Sequence, residues 1–168
     1  MKNIYFYKYQ ISKKFVLKLG IAENSGVGKA AGKAAICGVF LNAINTPNGY
    51  EKNETPLIKK AALQFGEYFN GKRKCFNLPL TMNGTDFQMK VWKALKKIPY
   101  GKTASYGEIS AMIGNPKAYR AVGMANNRNP IAIIVPCHRI IGHNGSLTGY
   151  GGGIELKQLL LELEKTFT

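Results

Sequence analysis

Between residues 85 and 125 the chain marks its own helix boundaries, and this run of signals constrains the fold more than any other part of the sequence. Thr85 is followed three residues later by Gln88, and Ser105 by Glu108. In such a capping box the hydroxyl and the longer side chain each satisfy a backbone N–H left over at a helix start. Behind the first box, Phe87, Val91, Leu95 and Ile98 follow an apolar face, and Pro99-Tyr100-Gly101 stops the helix. Behind the second, Ile109, Met112 and Ile113 lead to Gly114, a residue suited to a left-handed helix end. Asn115 is expected to cap a third helix over 117–125, with Pro116 in its first turn. Two short helices joined at Ile113-Gly114-Asn115 form a helix-turn-helix.

Such a pair is more often ordinary helix packing than a DNA reader. Charge weighs on the other side. The 24 Lys and Arg against 9 Asp and Glu give a net charge of +15, with 13 basic and 4 acidic residues in 1–80 and 11 and 5 in 81–168. A field spread through the chain in this way draws polyanions and gives salt-dependent affinity for phosphate backbones, although a lysine-rich solvated surface has the same composition. The second helix carries Ala118, Ala121, Gly123 and Ala125 around a single long cation, Arg120. Small side chains of this kind permit close approach to a narrow groove.

The first half reads as mixed α/β. Aromatic and β-branched residues over 4–19 predict two strands turning near residues 10–13, and 36–41 predicts a third. Residues 56–69 place Leu57, Ala61, Phe65 and Phe69 four apart, as an amphipathic helix would, and 76–80 suits a strand leading to a lobe boundary near residue 82. The basic, glycine-rich stretch 25–33 is not a P-loop. Val27 stands where the first glycine is required, and Ala34 follows Lys33 in place of Ser or Thr.

Cys37, Cys75 and Cys137 are odd in number and widely spaced, which argues against a disulfide framework and fits a reducing, cytoplasmic setting. With only His138 and His143 beside them they form no zinc pattern, so neither a metal nor another cofactor is expected. No apolar stretch is long enough to cross a bilayer, and no membrane partner is expected. Cys137 itself follows the apolar run Ile131-Ala132-Ile133-Ile134-Val135 and Pro136, and precedes His138-Arg139. Buried cysteines are commonly small core hydrophobes, whereas an imidazole, a guanidinium and local peptide dipoles favour a reactive thiolate. Adjacency alone leaves both readings open.

The strings Asn115-Pro116, Arg120-Ala121-Val122-Gly123, Asn129-Pro130 and Pro136-Cys137-His138-Arg139, with Gly84-Thr85-Asp86-Phe87-Gln88, Val91-Trp92, Ser105-Tyr106 and Gly151-Gly152, resemble the methylated-DNA–protein-cysteine methyltransferases, also called O6-alkylguanine-DNA alkyltransferases. The resemblance spans residues 76–164. It implies an α/β (α+β) architecture: an N-terminal ribonuclease-H-like mixed-sheet lobe over 1–82 and a C-terminal helical lobe over 83–168 with a winged-helix-like helix-turn-helix. It also implies a monomer that binds the minor groove of double-stranded DNA containing O6-alkylguanine and flips the target nucleotide.

Carried over residue by residue, the resemblance makes Cys137 the alkyl acceptor, His138 its base acting through a water, and Glu164 the carboxylate orienting His138. Tyr106 helps rotate the nucleotide and supports proton transfer to the guanine, while Arg120 fills the vacated stack. Asn115, Ala118, Ala121 and Gly123 belong to the DNA-binding element, Asn129 braces the active-site loop, and Tyr150 with Gly151 covers the base. Gly151 stands where some relatives carry Ser, and Ala132 and Thr148 fall on pocket-wall positions that vary, so methyl is the expected group. The implied reaction is a single-turnover transfer from O6-alkylguanine, and from O4-alkylthymine, to Cys137. The competing reading is a non-catalytic protein that binds alkylated bases; such relatives lack the acceptor thiol.

Overall fold

The structure, a computed structural model, describes residues 4–10, 18–24, 34–42, 45 and 47–168. The glycine-rich stretch 25–33 and the turn residues 11–13 lie outside the described residues. The chain divides into two compact units, Met1–Met82 and Asn83–Thr168. No helix among the described residues is long and apolar enough to cross a membrane.

In the first unit β1 (Ile4–Gln10), β2 (Lys18–Asn24), β3 (Ala35–Leu41) and β4 (Glu51–Lys52) form one sheet in the order β3-β2-β1-β4. The first three strands pair antiparallel and β4 runs parallel to β1, which makes the sheet mixed as expected. Helix α1 (Pro56–Phe69) starts at Thr55, whose hydroxyl accepts from the Ile58 N–H and donates to the buried Glu23 carboxylate. Its buried face is Ile58, Ala61, Phe65 and Tyr68, with Leu57 and Phe69 only half-buried. Ala61 and Phe65 of the expected stripe are buried, and Ile58 and Tyr68 take the flanking places expected of Leu57 and Phe69. The predicted strand over 76–80 is reduced to one parallel bridge between Leu80 and Ile36. Phe76 turns instead onto Phe65 and Tyr68, with ring centroids 4.9 and 5.5 Å away.

In the second unit α2 (Asp86–Leu95) and α3 (Tyr106–Met112) both begin with complete capping boxes, Thr85 with Gln88 and Ser105 with Glu108. Gly114 adopts φ +74° after α3, as a left-handed end requires. The next helix departs from expectation. α4 spans Tyr119–Asn127, with Ala118 at its N-cap and no side-chain cap. Asn115 closes a turn in which the Ala118 N–H donates to its carbonyl at 3.0 Å, so Pro116 and Lys117 precede the helix. A backbone turn has taken the place of the side-chain cap.

Two short strands, β5 (Ala104–Ser105) and β6 (Ile140–Ile141), pair in parallel, with Ser105 opposite Ile141. This pairing fixes the start of α3 beside the chain that leaves Cys137. The unit closes with α5 (Ile154–Thr166), which the sequence reading did not delimit. Its inward stripe is Lys157, Leu160 and Glu164, all with no exposed surface.

Candidate active site and nucleic-acid interface

The apolar run 131–135 forms a tight turn, not a strand. The Val135 N–H donates to the Ile131 carbonyl at 3.0 Å and the Ile134 N–H to that of Ala132 at 2.9 Å. Ile133 sits at φ +71°, a left-handed conformation that costs a β-branched residue roughly 1–3 kcal/mol and persists only where its surroundings enforce it. Asn129 is one such enforcer. Its Nδ2 donates to the Val135 carbonyl at 2.8 Å and its Oδ1 accepts from the Ile131 N–H at 3.0 Å. Asn126, buried on α4, donates to the Cys137 carbonyl at 3.3 Å, and Trp92 of α2 donates to the Ala125 carbonyl at 2.9 Å. The thiol-bearing turn is therefore tied to the helices on which it rests.

Cys137 opens a single 3-10 turn over Cys137–Arg139 and is 4% exposed. Burial pushes its thiol above the ordinary range. The Asn129 side chain, the backbone N–H groups of Cys137 and Ile133, and the Lys157 ammonium all act in the opposite direction. The resting thiol is neutral, surrounded by donors and a cation that stabilise charge once it forms. The strained Ile133 amide is one of those donors. The cation acting on the sulfur is Lys157; Arg139, whose guanidinium the sequence reading placed beside the thiol, is engaged elsewhere.

Glu164 is where Arg139 goes. Arg139 donates from Nε to Glu164 Oε2 at 2.8 Å and from Nη2 to Oε1 at 2.9 Å, and its Nη1 reaches the Ile98 carbonyl at 2.7 Å. His138 Nε2 lies 2.8 Å from Glu164 Oε1, with both side chains fully buried. Burial opposes ionisation of Glu164, but the His138 and Arg139 side chains outweigh it and hold the carboxyl well below the usual carboxylate range. An ionised partner makes Nε2 the protonated ring nitrogen. Burial then keeps His138 below its ordinary pKa, so the ring is neutral. Its Nδ1 lone pair, buried and without a partner among the described residues, can accept a proton.

A loop crosses from β6 to α5 over the same region. Tyr106, half-buried at the start of α3, donates its hydroxyl to the Thr148 carbonyl at 3.2 Å. Tyr150 is 9% exposed, and its hydroxyl is without a partner among the described residues. Burial raises that phenol far above its ordinary value, and the charges of Cys137 and Glu164 raise it further, so it remains a neutral donor. Gly151 is exposed, with open space where a side chain would stand.

On α4, Arg120 and Ala121 are exposed, and the Arg120 guanidinium rests 5.8 Å from the Tyr119 ring centroid. Ala118 and Gly123 are half-buried, and a Cβ on Gly123 would meet the Tyr106 ring at 3.6 Å. Asn115 lies exposed in the turn before α4. The site residues read from the sequence thus fall into two groups: Cys137, His138, Glu164, Asn129 and Tyr150 in the buried cluster, and Asn115, Ala118, Arg120, Ala121 and Gly123 on or before α4. Tyr106 meets Gly123 of α4 and the Thr148 carbonyl of the loop that carries exposed Gly151. Lys157, Asn126 and Ile133 were missed. Only Lys157 left a trace, as a lysine one and two helical turns from Leu160 and Glu164 on a single stripe. No group of residues suited to a metal ion occurs among the described residues.

Comparison with known proteins places this arrangement. A family model described as the 6-O-methylguanine DNA methyltransferase DNA-binding domain matches residues 86–166. The chain is 57% identical to a methylated-DNA–protein-cysteine methyltransferase of Methanosarcina acetivorans over 72% of its own length and 77% of that protein. It is 54% identical to the constitutive enzyme of that name from Bacillus subtilis, over 71% and 73% of the two chains. Among solved structures, Mycobacterium tuberculosis OGT, crystallised in complex with DNA, matches with a TM-score of 0.79 at 42% identity, covering 99% of this chain and 94% of that one. The mixed sheet of the first unit and the helix-turn-helix with its thiol turn in the second are accounted for together: this chain belongs to the methylated-DNA–protein-cysteine methyltransferase family, enzymes of the cysteine S-methyltransferase class.

Proposed function

We propose that this protein repairs DNA by moving the alkyl group of O6-alkylguanine, methyl above all, and of O4-alkylthymine onto Cys137 in a single turnover. The observation that carries the reading is the buried set around the thiol: Glu164 fixes the His138 tautomer from one side, leaving the Nδ1 lone pair to receive the Cys137 proton through a water. The thiolate attacks the alkyl carbon in line, the bond from that carbon to O6 breaks, and guanine leaves as an anion that gains a proton with help from Tyr106. The thioether has no easy leaving path, so the protein is consumed. Support for DNA as partner comes from the +15 charge, the uncapped N-terminus of α4 with Arg120 and Ala121 exposed behind it, and the DNA bound by the Mycobacterium tuberculosis relative. In this reading α4 enters the minor groove of a duplex as part of a monomer, Arg120 fills the gap left by the flipped base, and Asn129, Tyr150 and Gly151 shape the pocket.

The test is intact mass after incubation with duplex DNA containing O6-methylguanine. A gain of one methyl group, absent in Cys137→Ala, is expected. Binding of the lesion without a mass change would replace this reading with that of a non-catalytic alkylated-base binder.

A further inference from the structure

The Thr148 carbonyl accepts two hydrogen bonds from opposite parts of the unit. Tyr106 reaches it from the start of α3 at 3.2 Å, and Lys157 Nζ reaches it from α5 at 2.8 Å. Lys157 has no exposed surface. A buried ammonium is costly unless its hydrogen bonds are made, and this carbonyl is the partner that it holds. The next residue, Gly149, is at φ +46°, and a Cβ there would lie 3.7 Å from the Tyr106 hydroxyl and 3.9 Å from the Asn127 side chain at the end of α4. At Thr148-Gly149 the loop over the thiol therefore meets both helices of the helix-turn-helix, α3 through Tyr106 and α4 through Asn127. Lys157 is anchored from behind, on the helix that carries Glu164.

The proposed function asks Tyr106 to leave this carbonyl, because its hydroxyl cannot serve an incoming base while donating to Thr148. If Tyr106 were the loop's only tether, each base entry would release the cover just when water has to be kept out. We infer that Lys157 is a positioning residue that holds the covering loop at Thr148 while Tyr106 turns to the base. The two donors divide the work: the exposed-side one is exchangeable and the buried, charged one is permanent. Burial holds Lys157 below its ordinary pKa, and negative charge developing on the Cys137 sulfur acts against that loss, so its hold on the loop persists as the thiol ionises. This inference rests on the role of Tyr106 proposed above.

The test combines hydrogen exchange of the amides at residues 149–153 with single-turnover methyl transfer from duplex DNA, in wild type, Tyr106→Phe, Lys157→Met and the double variant. Tyr106→Phe should leave loop exchange within about twofold of wild type. Lys157→Met should speed it by about tenfold or more, the loss of a charge-assisted hydrogen bond, and should slow transfer at saturating DNA without weakening DNA binding. Lys157→Gln, which keeps a donor but shortens it, should fall between and covers the case in which the methionine variant does not fold. Unchanged loop exchange in Lys157→Met or Lys157→Gln, or faster exchange in Tyr106→Phe than in the Lys157 variants, would overturn the inference. Failure of wild type to gain a methyl group would sink the proposed function but leave the exchange comparison readable.

Discussion

Glu164→Gln is the substitution with the sharpest consequence. The carboxylate accepts from four donors: His138 Nε2, Arg139 Nε and Nη2, and the Gly101 N–H, the last at 3.1 Å. Glutamine keeps the shape but turns one oxygen into a donor. With its carbonyl at the Oε1 position, the amide faces Arg139 Nε and the Gly101 N–H; with the amide reversed, it faces Arg139 Nη2 and forces His138 into its other tautomer. Either way a guanidinium that is 7% exposed loses its counter-charge. Removing one partner of a buried pair costs about 3–5 kcal/mol, and for a chain of this size each kcal/mol lowers the melting temperature by about 2–4 °C. The variant should melt roughly 6–20 °C lower at pH 7.5 and transfer methyl about 100-fold more slowly through a misdirected His138.

The sign with pH is fixed as well. Glu164 is depressed in the fold, so its contribution is present above the ordinary glutamate pKa of about 4.3 and lost as pH falls through its native value. His138, also depressed, contributes above about 6.5 and less below it. The part of the acid limb below about pH 4.3 should therefore be shallower in Glu164→Gln. Glu162→Gln, at an exposed carboxylate bonded to Gln158, is the control and should change stability by less than about 0.5 kcal/mol. A Glu164→Gln protein melting within about 2 °C of wild type would refute the reasoning.

Two further outcomes are expected. S-methylation of Cys137 should destabilise the second unit by about 1–3 kcal/mol, since a methyl group must be inserted where 4% of the residue is exposed. It should also remove the Cys137 share of the loss of stability above about pH 8.5, leaving that of the likewise raised Cys37; identical melts of free and methylated protein from pH 7 to 10 would refute both. Arg120→Ala should slow transfer from duplex DNA by about tenfold or more but leave reaction with free O6-methylguanine base unchanged, because the stack is absent there; equal slowing of both reactions would remove its role in flipping.

What was legible in the sequence was local. The two capping boxes and Gly114 were readable because each is satisfied within a few residues, whatever the rest of the chain does. Asn115 failed because a backbone turn competes with a side-chain cap over the same three residues, and only packing decides between them. Hydrophobic periodicity found the face of α1, on which Ala61 and Phe65 are buried, but it could not delimit α5, whose buried stripe contains two charged residues in Lys157 and Glu164. Ile133 was invisible for another reason: nothing about an isoleucine announces a positive φ. The pairing of Arg139 with Glu164 in place of Cys137 is likewise set by partners 25 residues apart.

That stripe on α5 has a consequence for how the last helix stays in place. A helix held only by apolar packing is indifferent to protons; α5 is fastened by Lys157 to the Thr148 carbonyl and by Glu164 to the His138 imidazole and the Arg139 guanidinium. The same two ions face the thiol and the imidazole. A proton gained or lost at Cys137 or His138 is therefore felt as a change in how firmly α5 is attached, and loosening of α5 is felt at the thiol.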